Sequence, residues 1–300
     1  MFGEMENLRI VSLIASATEI VCALGLRDNL VGRSHECDYP QSVLSLPVCT
    51  GPKFKTDVPS AEIDKQVRTL LQEALSVYRV DAEQLEQLQP SHIITQSQCE
   101  VCAVSLKDVE AAACSQIGSK PKIVSLEPNC LLDIYEDIKK VGTALGVDSR
   151  SDALVRELKA SIKIISDKSK TSPNRPSVAL IEWIDPLMAA GNWMPELVEL
   201  AAGKNVFGEA GKHAPVMNWK QVLVADADIM IIAPCGFGMT QTLEEMPSLM
   251  ARPGWSDLSA VKSKRVFIAD GNQYFNRPGP RVLDSLEIMA EMIHPDMFPG

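Results

Sequence analysis

Ser151-Asp152-Ala153-Leu154-Val155-Arg156-Glu157-Leu158-Lys159-Ala160-Ser161-Ile162-Lys163-Ile164-Ile165-Ser166-Asp167-Lys168-Ser169 is the stretch that decides the fold. Leu154, Leu158, Ile162 and Ile165 recur at three- and four-residue spacing, the period of one helix face, while Arg156, Glu157, Lys159, Lys163 and Asp167 fall elsewhere. At 3.6 residues per turn the segment predicts a helix of about five turns. Thr171-Ser172-Pro173-Asn174-Arg175-Pro176 breaks the pattern directly after it.

Working outward, short apolar runs alternate with helical patterns on both sides of this helix, the mark of βαβ units and parallel sheets. Before it, strands are expected at Ile10–Ile14, Leu30–Gly32, His92–Thr95 and Lys122–Leu126. Helices are expected at Ser16–Leu24, Ile63–Tyr78, Ala82–Leu88 and Leu131–Leu145. Ser16 and Glu19 have the spacing of a capping box, and Gly25 suits the helix end. After it, strands are expected at Val178–Ile181, Asp228–Ile232 and Arg265–Ala269. Helices are expected at Pro195–Ala202, Trp219–Val224, Leu243–Met250 and Arg281–Ile293. The expected fold is α/β: two lobes with mainly parallel sheets (residues 1–148 and 173–300), joined by a single long backbone helix within residues 149–172. A chain of 300 residues suits two packed units better than one core.

Composition narrows the function classes. Lys and Arg number 29 against 39 Asp and Glu, a net charge of −10 that leaves no basic stripe for nucleic acid or an anionic membrane surface. No apolar stretch has the length of a spanning helix, so no membrane insertion is expected. Met1–Asn7 contain no Lys or Arg, and Glu19 interrupts the apolar stretch behind them. That reads as mature strand and helix rather than a secretory leader. The compartment expected of the sequence as it stands is cytoplasmic, and periplasmic if a leader has been removed. The eight cysteines then read as core residues, metal ligands or reactive thiols rather than a disulfide framework.

The strand exits carry the chemistry. In an open parallel sheet, ligands bind outside the carboxyl ends of the strands. Ser34-His35-Glu36-Cys37-Asp38-Tyr39-Pro40 and Gln96-Ser97-Gln98-Cys99-Glu100-Val101-Cys102 follow two of those ends. His35, Cys37, Cys99 and Cys102 are therefore candidate metal ligands, with zinc, or iron, suited to mixed Cys and His ligation. His35 or a thiolate is alternatively a ligand to the cobalt or iron of a tetrapyrrole. A redox role is a third reading, because a Cys-x-x-Cys at a helix start lowers a thiol pKa. In the second half, Trp183, Trp193, Phe237, Tyr274 and Phe275 gather at strand ends, where rigid amphipathic rings suit a wide apolar plane with polar edges. Arg277 is placed to bind a ligand phosphate or carboxylate, or to cap its own loop. No nucleophile elbow, P-loop or dinucleotide fingerprint follows any strand, so no catalytic residues are assigned.

Taken together, these segments resemble the helical-backbone (class III) substrate-binding proteins, and within them the cobalamin-binding branch. The resemblance is carried by Arg9–Leu13 with Ser16–Glu19, Val31–Pro40, Trp183–Pro186, Gly191–Glu196 and Asp270–Arg281, and it covers nearly the whole chain. It implies a soluble binding protein that holds a corrinoid such as cobalamin, or a related metallo-tetrapyrrole, in the cleft between the lobes without turnover. The implied contacts are Ser16, Thr18, His35, Tyr39, Trp183, Trp193, Phe237, Asn272, Tyr274, Phe275 and Arg277. It also implies an ABC permease as partner if the chain is exported. The alternatives are a cytosolic metal-binding or redox protein built on Cys37, Cys99 and Cys102, and a cofactor-modifying enzyme.

Overall fold

The computed structural model describes residues 8–73, 77–97, 108–111 and 118–299. The chain divides into two compact α/β units, and the long helix runs from one into the other. The first unit comprises Met1–Val58, Lys65–Pro128 and Leu132–Arg156; the second comprises Pro59–Asp64, Asn129–Leu131 and Glu157–Gly300.

The connecting helix spans Asp148–Ser169, one turn longer at its start than the apolar stripe predicts. Val155, Leu158, Ile162 and Ile165 are buried and Ile164 is exposed, so the stripe faces protein and its charged flank faces water.

In the first unit, β1 (Ile10–Ser12) and β2 (Leu30–Arg33) are followed by β3 (Thr50–Pro52) and β4 (Tyr78–Val80), a separate antiparallel pair with a helix between its strands. Then come β5 (His92–Gln96) and β6 (Lys122–Leu126). The sheet order is β2-β1-β5-β6, and every pair is parallel. Ile10, Val11, Ile93 and Ile94 are fully buried, as expected of strands covered on both faces.

Two expectations need correcting here. Ser16 does not cap its helix: the helix spans Ala15–Ala23 and its N-cap is Ile14, with no side-chain cap bond. The strand turns into the helix so sharply that Ser16 enters the first turn and is buried. The helix expected to reach Tyr78 spans only Ser60–Gln72, because Tyr78 pairs with Pro52 in the antiparallel β3–β4 ladder. Arg79 lies so close over Gly51 in that pair that an added Cβ would sit 2.9 Å from its Nε. Tertiary pairing overrides local helical preference there.

The second unit holds β7 (Ser177–Trp183), β8 (Met188–Ala189), β9 (Lys204–Asn205), β10 (Ile229–Ile232) and β11 (Val266–Ile268). The order is β11-β10-β7-β8, with β9 also on β7. The β7–β10, β10–β11 and β7–β9 pairs are parallel, while β8 runs antiparallel to β7. Ile181, Ile184, Leu187, Met230, Ile232 and Leu249 belong to the core on one side of this sheet. Helices span Met194–Leu200, Trp219–Ala225, Met239–Met250 and Val282–Ile293, and a π-helical turn spans Gly271–Phe275.

Candidate functional site

Each unit presents its strand exits separately. In the first, β1 and β2 end side by side, Ser12 opposite Arg33. Thr18 Oγ1 sits 2.8 Å from Ser12 Oγ and 3.0 Å from Cys37 Sγ, and all three residues are fully buried. The Ser12 hydroxyl donates to the Ile14 carbonyl at 3.0 Å, holding the turn into the helix. Arg33, itself buried, ties the β2 exit by donating Nη1 to the carbonyls of Ser34 and Cys37 at 3.0 and 3.1 Å.

His35 stands above this layer. Its backbone N–H donates to Thr50 Oγ1 at 3.1 Å and its Nδ1 lies 2.8 Å from the same oxygen. The Tyr78 ring is tilted against it with centroids 5.3 Å apart, and Phe54 meets the other partner, Tyr78, at 5.9 Å. Burial, with the Arg33 charge adding to it, lowers the imidazole pKa to about 4, so the ring is neutral at pH 7. Tyr39 is exposed.

In the second unit, Trp183 at the end of β7 and Phe237 after β10 meet edge to face, centroids 5.1 Å apart. Trp183 Nε1 donates to the Asp185 carbonyl at 3.0 Å, which fixes the ring while leaving it half-exposed. Phe237 is buried beneath it. The Asn272 N–H donates to the Phe237 carbonyl at 3.0 Å, drawing the π-helical turn onto the same edge. Gly271 is required there, since an added Cβ would fall 2.0 Å from the Pro234 carbonyl oxygen. On that turn Tyr274 is stacked under the Arg281 guanidinium at 4.3 Å, and Arg281 Nε is paired with Asp284 at 3.2 Å.

The structure thus gathers Trp183, Phe237, Asn272 and Tyr274 on one edge. It does not bring the remaining aromatics to a surface: Trp193 and Phe275 are 5% and 1% exposed, interior residues of this unit. Trp193 Nε1 has no hydrogen-bond partner among the described residues. Arg277 is buried and donates Nη2 to Asn272 Oδ1 at 3.3 Å, which shapes the turn from within. Ser16 is buried, with a hydroxyl that has no partner among the described residues.

Cys99 and Cys102 lie outside the described residues. Among the described ones, no group of three or more His, Cys, Asp or Glu side chains is arranged to hold a metal ion. Cys37 is enclosed against Thr18, and burial pushes the thiols of Cys22 and Cys49 up to about 11 and about 12, which keeps both protonated at pH 7. Sequence reasoning missed Ser34, Thr50, Tyr78 and Arg281. No local signal marks Thr50 or Tyr78, since each reaches His35 only through the β3–β4 pairing.

Comparison with known proteins defines the class. Residues 10–272 match the family described as periplasmic binding protein, and the chain belongs to that family, whose members bind substrates and are not enzymes. An uncharacterised ABC transporter substrate-binding lipoprotein, YvrC of Bacillus subtilis, is 26% identical over 299 residues, 98% of this chain and 82% of that protein. A vitamin B12-binding protein of Vibrio cholerae is 23% identical over 280 residues, 93% of this chain and 86% of that one. The periplasmic haem-binding protein RhuT from Roseiflexus sp. RS-1 superposes with a TM-score of 0.73 at 22% identity, covering 97% of this chain and 99% of its own. The relatives named as periplasmic or as a lipoprotein give no support to a cytoplasmic assignment. No helix among the described residues is long and apolar enough to cross a membrane.

Proposed function

We propose that this chain is the solute-binding component of an ABC importer and that its solute is a corrinoid of the cobalamin type. The observation that carries the reading is the match, over 93% of the chain, to a protein named as vitamin B12-binding. The edge formed by Trp183, Phe237, Asn272 and Tyr274 supports it, since a rigid indole face backed by a buried phenyl ring suits a broad apolar macrocycle, and the amide and phenol suit its polar rim. Haem is the second reading, favoured by the haem-binding protein of similar fold. In either case the protein binds and hands over; the partner is a membrane permease, and the compartment is extracytoplasmic.

Isothermal titration of the purified protein with cyanocobalamin and, separately, with hemin tests this. Saturable one-to-one binding of cyanocobalamin, at least tenfold tighter than hemin, is the expected result. Hemin preferred by the same margin moves the assignment to haem, and binding of neither removes the tetrapyrrole reading.

A further inference from the structure

We propose that Arg252 is a positioning residue for the aromatic edge: by holding the Ile184 carbonyl it fixes the turn that sets the angle of the Trp183 indole toward the ligand. The inference rests on the reading that this edge receives a tetrapyrrole, and adds what prepares the ring for it.

Two contacts orient Trp183. Its Nε1 donates to the Asp185 carbonyl at 3.0 Å, and its ring meets Phe237 at 5.1 Å with the planes 60° apart. Phe237 is buried, but the Asp185 carbonyl belongs to the turn between β7 and β8. The indole is therefore only as well placed as that turn. Pairing between the two strands ends at Trp183 and Met188, so the residues between them take their support from elsewhere. Leu187 is held through its carbonyl by the Met217 N–H at 2.7 Å. On the Asp185 side the support is Arg252, whose Nη2 donates to the Ile184 carbonyl at 2.9 Å from 68 positions along the chain. A guanidinium donating to a carbonyl makes a charge-assisted bond, stronger than a neutral one.

Arg252 is itself held. Its guanidinium carbon lies 5.5 Å from the centroid of the Trp219 ring, within cation–π range. Trp219 Nε1 donates to the Pro253 carbonyl at 2.7 Å, so one indole fixes both the Arg252 side chain and the backbone of the next residue. Trp255 stacks on Trp219 at 6.2 Å with the planes 20° apart, and it shares a core with Ile184, Leu249 and Leu258. Direct contacts thus run from that core through Trp219, Arg252 and the Ile184 turn to Trp183, all inside the second unit. A planar guanidinium stacks and donates at once, which a lysine ammonium does not. Neither Arg252 nor Trp219 is among the residues that form the edge, so their effect on binding runs through Trp183.

The test labels the whole chain with 5-fluorotryptophan, whose four tryptophans give four 19F resonances, and assigns the Trp183 line with Trp183→Phe. Arg252→Met keeps an apolar stem against Trp219 but removes the donor. It shifts or broadens the Trp183 line and leaves that of the buried Trp193 in place. Cyanocobalamin and, separately, hemin are then titrated into the native protein, Arg252→Met, Trp183→Ala and the double variant. For the ligand that the native protein binds, Arg252→Met lowers affinity roughly tenfold. In the Trp183→Ala background the same change alters affinity by less than about twofold, because no indole is left to position. Should Arg252→Met fail to fold, Trp219→Phe, which keeps Arg252 but removes the bond to Pro253, goes through the same measurements and shows a smaller effect of the same sign. An unmoved Trp183 line, native affinity in the folded variant, or an equal loss in both backgrounds rules out the positioning role while the tetrapyrrole reading stands. Failure of the native protein to bind either ligand overturns both.

Discussion

The two sheets end differently. At the exits of β1 and β2 the first unit builds a buried layer of hydroxyls and a thiol, Ser12, Thr18 and Cys37, beneath an imidazole held by Thr50. At the exits of β7 and β10 the second unit builds an aromatic pair, Trp183 over Phe237, tied by backbone bonds to a π-helical turn. One edge supplies directed polar groups, the other apolar area. The family's shared fold leaves those two edges free to differ.

The contrast can be broken at its apolar side first. Phe237→Ala empties a buried ring site and is expected to cost about 3–5 kcal/mol of stability, read by chemical denaturation. A cost below about 1 kcal/mol means that the aromatic pair is not part of the core of its unit. At the polar side, Thr18→Val removes the hydroxyl shared by Ser12 and Cys37 and is expected to cost about 1–2 kcal/mol. An unchanged denaturation midpoint shows that the hydroxyl layer contributes nothing to holding the β1 turn.

A pH dependence is expected to originate in the first unit. Asp137 is buried and accepts the Glu127 N–H at 3.0 Å. Burial, partly offset by that bond and by Lys140, raises its pKa from 3.8 to about 7. A folded-state pKa above the unfolded one means tighter proton binding in the native state, so its contribution to stability is complete below the unfolded value and lost as pH rises through about 7. The thermal midpoint of the native protein, measured against that of Asp137→Asn at each pH, therefore falls between about pH 4 and pH 7 and is level above that. Because the comparison is made pH by pH, other titrating groups such as His35 cancel. A difference that stays flat across the range shows Asp137 to be ionised throughout.

Much of the fold was legible because its signals are local. The connecting helix announces itself through Leu158, Ile162 and Ile165, and β6 and the helix Ala82–Leu88 begin and end where apolar pattern and flanking prolines place them. The β3–β4 pair was not legible: Thr50-Gly51-Pro52 has the composition of a turn, and only pairing with Tyr78–Val80 makes it a strand. The same contact hid half of the first site. His35 stands out in the sequence as a strand-exit histidine, but Thr50 and Tyr78 become its partners only in the folded chain. In the second unit the strand-end aromatics were visible as candidates, yet their spacing says nothing about which ring lies outward. Trp183 keeps exposed surface; Trp193 and Phe275, equally prominent in the sequence, fill the interior.

The most direct measurement is the affinity of the Trp183→Ala variant for cyanocobalamin beside that of the native protein. Trp183 keeps exposed surface, its Nε1 donates to the Asp185 carbonyl and its ring packs on Phe237, so its loss should lower the thermal midpoint less than Phe237→Ala does and leave the protein folded. Affinity should fall by about 2 kcal/mol, roughly thirtyfold in Kd. Equal affinities in a folded variant would contradict the assignment of this edge to the ligand.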